Sequence, residues 1–240
     1  MTSQVRIVDA AHRVVLFDID GTLLRTDRAG RRAMDLAFDE VLGVRGDPHY
    51  HYDGRTDRQI VRAQLRHAGL ADDAIDATFD ALVARYLVHL DAILSTEPDV
   101  AQQCAGVDVL LATLSREPAV TLGLLTGNVR AGAARKLAAV QLDIDAFAVG
   151  AFGCDHEDRP ALPAIARERA TQHLGVDVPG PQLVIIGDTP ADIDCGRSLG
   201  VRALAVATGR YGVDELASHA PYATFATLED THRVIEAILA

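Results

Sequence analysis

The chain has 240 residues, 49% of them hydrophobic and 24% charged, and a formal net charge of −11. That length permits one large domain or a core with a smaller insertion, and it buries a substantial apolar interior. The acidic balance argues against a broad nucleic-acid footprint and against an anionic membrane surface, while a metal or local cations in one cleft still admit an anionic substrate.

Cys104, Cys154 and Cys195 are odd in number and widely spaced. They fit neither a zinc pattern nor a disulfide framework, so a reducing, cytoplasmic setting is expected. The first residues lack an apolar signal core, and no apolar run reaches membrane-spanning length. Of the 23 basic residues only Lys136 is lysine.

In chain order, the first strong feature is Val14-Val15-Leu16-Phe17, an apolar run leading into Asp18-Ile19-Asp20-Gly21-Thr22-Leu23. The pattern predicts a strand buried on both faces, as in a parallel sheet. Open α/β sheets bind ligands at the carboxyl ends of their strands, where Asp18 and Asp20 fall. Two carboxylates one residue apart repel each other, a cost that a divalent cation or a catalytic role offsets. The plainer alternative is an acidic turn with Asp20-Gly21 as turn residues.

Residues 28–43 then show helical spacing, with Ala33, Leu36, Ala37, Val41 and Leu42 on one face and Gly43 as a stop. Residues 46–54 read as a loop containing His49, Tyr50, His51 and Tyr52. Helices are predicted over 57–68, ended by Gly69, and over 72–94 with Asp72 as N-cap. No strand-like alternation appears between about 28 and 103, so this stretch is an all-helical insertion leaving after Leu24 and returning near Cys104.

The α/β pattern then resumes. Helices are predicted over 107–116, 130–140, 160–174 and 228–239, with shorter ones after Pro190, running to Leu199, and at 213–218. Strands are predicted at 120–125, 147–149, 183–187 and 203–207, with an edge strand at 223–225. The alternation implies a doubly wound parallel sheet.

Three sequence-distant strands end in polar signatures: Asp18-x-Asp20, Thr126-Gly127-Asn128 and Asp188-Thr189-x-x-Asp192. In a parallel sheet these ends share one edge. The three stretches VVLFDIDGTL, LGLLTGN and VIIGDTPADID resemble, in order and context, motifs I, II and IV of the haloacid dehalogenase superfamily. The resemblance covers the whole chain and implies a Rossmann-like core over 1–25 and 104–240. It also implies an inserted helical cap of the C1 type over 26–103.

The resemblance implies a Mg²⁺-dependent phosphomonoester hydrolase, most like the phosphoglycolate-phosphatase branch, acting on a small phosphorylated metabolite as a monomer or homodimer. Asp18 is then the nucleophile, since a carboxylate that attacks phosphorus splits one hard displacement into two easier ones. Asp20 is the general acid and base. The implied Mg²⁺ ligands are the Asp18 side chain, the Asp20 backbone carbonyl and the Asp188 side chain, with Asp192 orienting a metal-bound water. Thr126, Gly127 and Asn128 suit a phosphoryl group, although a plain strand-to-helix turn with Asn128 as helix cap fits them equally.

Motif III requires a cation. Lys136 lies two to three helical turns past Thr126 and is expected to point away, so Arg159 in His156-Glu157-Asp158-Arg159-Pro160 is the candidate, with Arg130, Arg167 and Arg169 as alternatives. In the insertion, Gly54-Arg55-Thr56-Asp57 resembles the cap loop that faces the active site. Arg55 and Thr56 are therefore candidate substrate contacts, while Thr56 fits a helix N-cap equally well. The cluster from His49 to Tyr52 lines a cap pocket or forms an exposed loop. Alternatives to a phosphatase are a phosphomutase of the β-phosphoglucomutase type, a metal-independent haloacid dehalogenase, and a non-catalytic binding protein on the same scaffold.

Overall fold

A computed structural model describes residues 7–97 and 99–240. Its centre is strand β1 (Arg13–Phe17), every residue of which is buried. The short strand β2 (Leu24–Arg25) follows, then three helices: α1 (Ala29–Leu42), α2 (Asp57–His67) and α3 (Asp72–Thr96). Strand β3 (Gln102–Gln103) pairs antiparallel with β2, so the chain leaves and re-enters the sheet region through one two-stranded ribbon.

After α4 (Val107–Leu114) come β4 (Val120–Leu125), α5 (Arg130–Ala139), β5 (Val149–Ala151) and α6 (Leu162–Leu174). The chain closes with β6 (Leu183–Gly187), α7 (Pro190–Cys195), β7 (Arg202–Val206), α8 (Val213–Ser218), β8 (Ala223–Phe225) and α9 (Thr231–Leu239). The six-stranded sheet has the order β5-β4-β1-β6-β7-β8, and every pairing in it is parallel. After β1 the chain builds outward through β4 and β5, then returns to β6 on the other side of β1. The carboxyl end of β1 is therefore the switch point, where such sheets hold ligands.

Period-two alternation sorts the β1 side chains. Val15 and Phe17 pack with α4, α5 and α9 residues such as Leu110, Leu137 and Ile238. Val14 and Leu16 pack with α6 residues such as Leu162 and Ala166. Each large apolar side chain buried this fully contributes roughly 1.5–3 kcal/mol. Helices α1–α3 close a separate apolar cluster around Phe38, Leu65, Phe79, Leu82 and Leu90.

Several expected boundaries shift. The strand expected at 147–149 lies at Val149–Ala151, because Ile144–Ala146 forms a 3₁₀ turn that ends with Phe147 turning inward. The helix expected from Pro160 opens with a 3₁₀ turn over Arg159–Ala161. The helix after Pro190 breaks at Gly196 and resumes as a 3₁₀ turn over Arg197–Leu199. Ala71, not Asp72, is the N-cap of α3, and Asp72 in the first turn pairs with Arg66 instead. Among the described residues no helix is long and apolar enough to cross a membrane.

Candidate active site

The turn after β1 is built on Ile19, whose carbonyl accepts from the backbone N–H groups of Thr22, Leu23 and Leu24. Gly21 takes a left-handed φ of 85°, and a Cβ there would lie 2.8 Å from Asp188 Oδ1. Glycine thus lets the turn approach the end of β6. The result is a cluster in which Asp18, Asp188 and Asp192 each offer a carboxylate oxygen within 4.8 Å of the others, all three buried.

Two of these carboxylates have tight partners. Asp192 Oδ2 accepts from Thr189 N at 3.0 Å and Thr189 Oγ1 at 2.6 Å, closing a capping box on α7. Its Oδ1 meets the Arg159 guanidinium, which also lies 3.4 Å from Asp18 Oδ1. Asp188 accepts from Thr22 Oγ1 at 3.1 Å and has no ion pair among the described residues. Burial pushes the Asp18 carboxyl up to about 6 against the pull of Arg159. Burial, with Asp192 and Asp18 beside it, raises Asp188 well above the usual carboxylate range. Burial works against the Arg159 charge, but Asp192 and Asp18 more than restore it.

One guanidinium thus faces three buried carboxylates. A divalent cation fits this donor set: the oxygens are hard, they converge, and the net negative charge lacks a second counter-charge. Asp192, with both oxygens engaged, is better placed to orient than to ligate.

Beyond β4, Thr126 is fully buried and Asn128 nearly so. Asn128 is not the helix cap. Val129 holds that position without a side-chain cap, and Asn128 Nδ2 donates to Asp20 Oδ2 at 2.8 Å and to Thr126 Oγ1 at 2.9 Å. The free N–H of Val129 instead donates to Asp57 Oδ2 at 2.7 Å, from the first turn of α2. Asp57 is buried, which raises its carboxyl to about 6 despite Lys136 and this hydrogen bond.

The expectation for Lys136 is overturned. Its Nζ donates to Asp20 Oδ2 at 2.6 Å and to Asn128 Oδ1 at 2.7 Å. Counting turns from Thr126 overstated the distance. The helix starts only at Arg130, and helical side chains lean toward the N-terminus, so a long lysine stem recovers most of the roughly 9 Å of rise. A usable signal was in the composition: one lysine in a chain that otherwise places arginine wherever a cation is wanted.

The remaining candidates divide. Arg130, Arg167 and Arg169 do not join the cluster; they pair with Asp145, Asp177 and Asp155 respectively. Arg55 lines a cavity of about 360 Å³ that also holds Asp18, Asp20, Gly127 and Asp188, and it lies over the Tyr50 ring at 5.2 Å. Thr56 does not line that cavity. It caps α2 in a capping box with Gln59, and its hydroxyl donates to the Glu157 carbonyl at 2.6 Å, because helix initiation turns it toward the core. His51 and Tyr52 line the cavity, while Tyr50 lies under Arg55. Cys154 is exposed and Cys195 buried, neither in a disulfide.

The family model for haloacid dehalogenase-like hydrolases matches residues 12–200. No curated protein matches the sequence. The fold is shared with a predicted phosphoglycolate phosphatase from Haemophilus somnus, at TM-score 0.67 and 16% identity over 94% of this chain and 99% of that one. It is shared with CbbY from Rhodobacter sphaeroides in complex with phosphate, at TM-score 0.69 and 18% identity over 91% and 96%. A mutant of that protein is in complex with xylulose-(1,5)bisphosphate. It is shared also with the β-phosphoglucomutase of Clostridium difficile, at TM-score 0.71 and 14% identity over 95% and 97%. With the family model spanning β1 through α7 and the three polar strand ends meeting at one switch point, the chain belongs to the haloacid dehalogenase-like hydrolase family.

Proposed function

We propose that the protein is a Mg²⁺-dependent phosphomonoester hydrolase acting on a small phosphorylated metabolite, with residues 26–103 serving as a lid over the core. The observation that carries the proposal is the buried convergence of Asp18, Asp188, Asp192 and Arg159 at the end of β1, with Asp20 beside them. Asp18 attacks phosphorus, the bond from phosphorus to the leaving oxygen breaks, and an aspartyl-phosphate forms on Asp18. Asp20 gives its proton to the departing alkoxide. In the second half-reaction Asp20 takes a proton from water as that water attacks phosphorus, which frees Asp18 and releases inorganic phosphate.

Arg159 balances charge at Asp18, and Thr126 and Gly127 offer a hydroxyl and backbone groups to the phosphoryl oxygens. Asp18, Asp188 and the Asp20 carbonyl would hold magnesium, which when bound supplies the positive charge that offsets repulsion between a phosphate dianion and Asp18. The lid excludes water and bears the specificity. Arg28 and Arg55 on the cavity wall have no ion pair among the described residues, which suits a substrate with a second anionic group. The phosphorylated ligands of CbbY are of this chemical kind.

The test is phosphate release from a panel of small phosphate monoesters, with Mg²⁺ or with EDTA, for wild type and Asp18→Asn. Turnover that requires metal and disappears in the variant is expected. Folded protein that releases no phosphate from any ester refutes the proposal, and conversion of one sugar phosphate isomer to another without net release replaces it with a mutase.

A further inference from the structure

Lys136 is the only charged side chain on α5 that is fully enclosed, and it is held from both sides. From the core, Asp20 Oδ2 and Asn128 Oδ1 accept two of its three N–H donors. Burial opposes its charge; from the proposed lid, the buried Asp57 carboxylate favours it, and the neutral Tyr86 side chain closes over it. The lid and the core also each contribute a helical glycine at this point. A Cβ on Gly30 of α1 would lie 3.1 Å from Lys136 Nζ and 3.8 Å from Tyr86 Oη, and a Cβ on Gly132 of α5 would lie 3.2 Å from Tyr86 Oη. Glycine inside a helix is less stable than alanine there, and an enclosed ammonium loses its hydration. A device that costs stability on three counts, and that ends on one oxygen of Asp20, is accounted for by what it does to Asp20.

We propose that Lys136 is a positioning residue for the acid–base carboxylate. It and Asn128 hold Asp20 Oδ2 in a two-point grip, leaving Oδ1 for the leaving group and then for water, and the lid residues Asp57 and Tyr86 enclose the ammonium so that the grip is complete when the lid is down. The proposal rests on the phosphatase reading only for the role of Asp20. The grip differs from the role of Arg159, which touches Asp18 and Asp192 and does not reach Asp20. An ammonium suits the place where a guanidinium does not. Three donors radiate from one atom into a pocket where Gly30 leaves no Cβ beside the nitrogen, whereas a planar fork needs more room.

The experiment is a double-mutant cycle of Lys136→Met with Asp20→Asn, read on an alkyl phosphate monoester, whose poor leaving group needs the acid that Asp20 supplies. A positioned acid–base group contributes about 10²–10⁴-fold. Lys136→Met is therefore expected to lower kcat about 10²-fold with KM changed less than about threefold, and to lower it less than about threefold when Asp20 is already Asn. Equal losses in both backgrounds, or a loss confined to KM, overturn the proposal, because a merely structural lysine would act without regard to Asp20. A crystal structure of Lys136→Met provides a second reading that needs no turnover: the Asp20 carboxylate is expected to leave Asn128, and an unmoved carboxylate overturns the proposal. If wild type releases no phosphate, the phosphatase reading fails by itself and the crystal structure still decides the grip. Should Lys136→Met fail to fold, Lys136→Gln, which keeps donors but not charge, replaces it in both measurements.

Discussion

Gly127 offers the sharpest test of how the proposed lid meets the turn after β4. It is not among the residues with left-handed backbone, so alanine meets no conformational penalty of its own there. Its Cβ, however, would fall inside the contact distance of the Arg55 carbonyl oxygen, 2.7 Å from the Arg55 carbonyl carbon and 3.0 Å from Thr56 Cα. Ordinary contact begins at about 3.4 Å, so residues 55–57 must retreat by several tenths of an ångström or more. That segment carries two hydrogen bonds to the turn: Asp57 N to Gly127 O at 2.8 Å and Val129 N to Asp57 Oδ2 at 2.7 Å. A neutral bond is worth about 1 kcal/mol net and one to a charged group about 1.5–3 kcal/mol. Losing most of both weakens the hold of residues 55–57 on this turn by about 3 kcal/mol, or roughly 10²-fold. The assay is kcat/KM for Mg²⁺-dependent phosphate release by Gly127→Ala, with thermal unfolding alongside. A fall of roughly 10²-fold with Tm shifted by only a few degrees is expected, since the variant requires residues 55–57 of the proposed lid to shift and not the core to unfold. Wild-type kcat/KM in Gly127→Ala refutes the idea that contact between residues 55–57 and this turn is needed for turnover.

Asp57 makes stability depend on pH. Burial raises its carboxyl from 3.8 to about 6, so the neutral form is favoured in the fold, and the associated stability is whole below pH 4 and lost as pH rises through 6. Asp57→Asn removes this dependence, and denaturant titrations should show wild type losing roughly 3 kcal/mol relative to the variant between pH 4 and pH 7.5; a flat difference contradicts the burial argument. Arg159→Met leaves Asp18 and Asp192 facing each other without a counter-charge and should cost about 3–5 kcal/mol in equilibrium unfolding at neutral pH. Arg159→Lys should keep most of that stability but lose at least tenfold in kcat/KM, because an ammonium does not span both carboxylates. Thr56→Val deletes the N-cap of α2 and the bond to the Glu157 carbonyl, and urea unfolding should register a loss of about 2 kcal/mol.

The hydrophobic runs of β1, β4 and β6 and the polar triplets that end them are local patterns. Because a parallel sheet gathers its strand ends on one edge, the meeting of Asp18, Thr126 and Asp188 was legible from the sequence alone. The same holds for the presence of helices over 29–96, though α1 buries Met34 and Phe38 and exposes Leu36, which the spacing places on the apolar face, and for Gly43 and Gly175, which end their helices in left-handed conformation. Contacts across long sequence separations were not legible. Asp57 satisfies the start of α5 from 72 residues away, and no local rule names a helix cap supplied by another helix. Lys136 reaches Asp20 across 116 residues; its direction depends on where α5 begins and how it leans on β1, which spacing from Thr126 does not encode. Thr56 had two equally good local readings, and only the packing of α2 against the Glu157 turn chose the cap. Sequence thus determined which strands end in chemistry, since period and turn residues act over a few positions. The tertiary structure alone decided which buried charges face each other, since that depends on how separately formed elements dock.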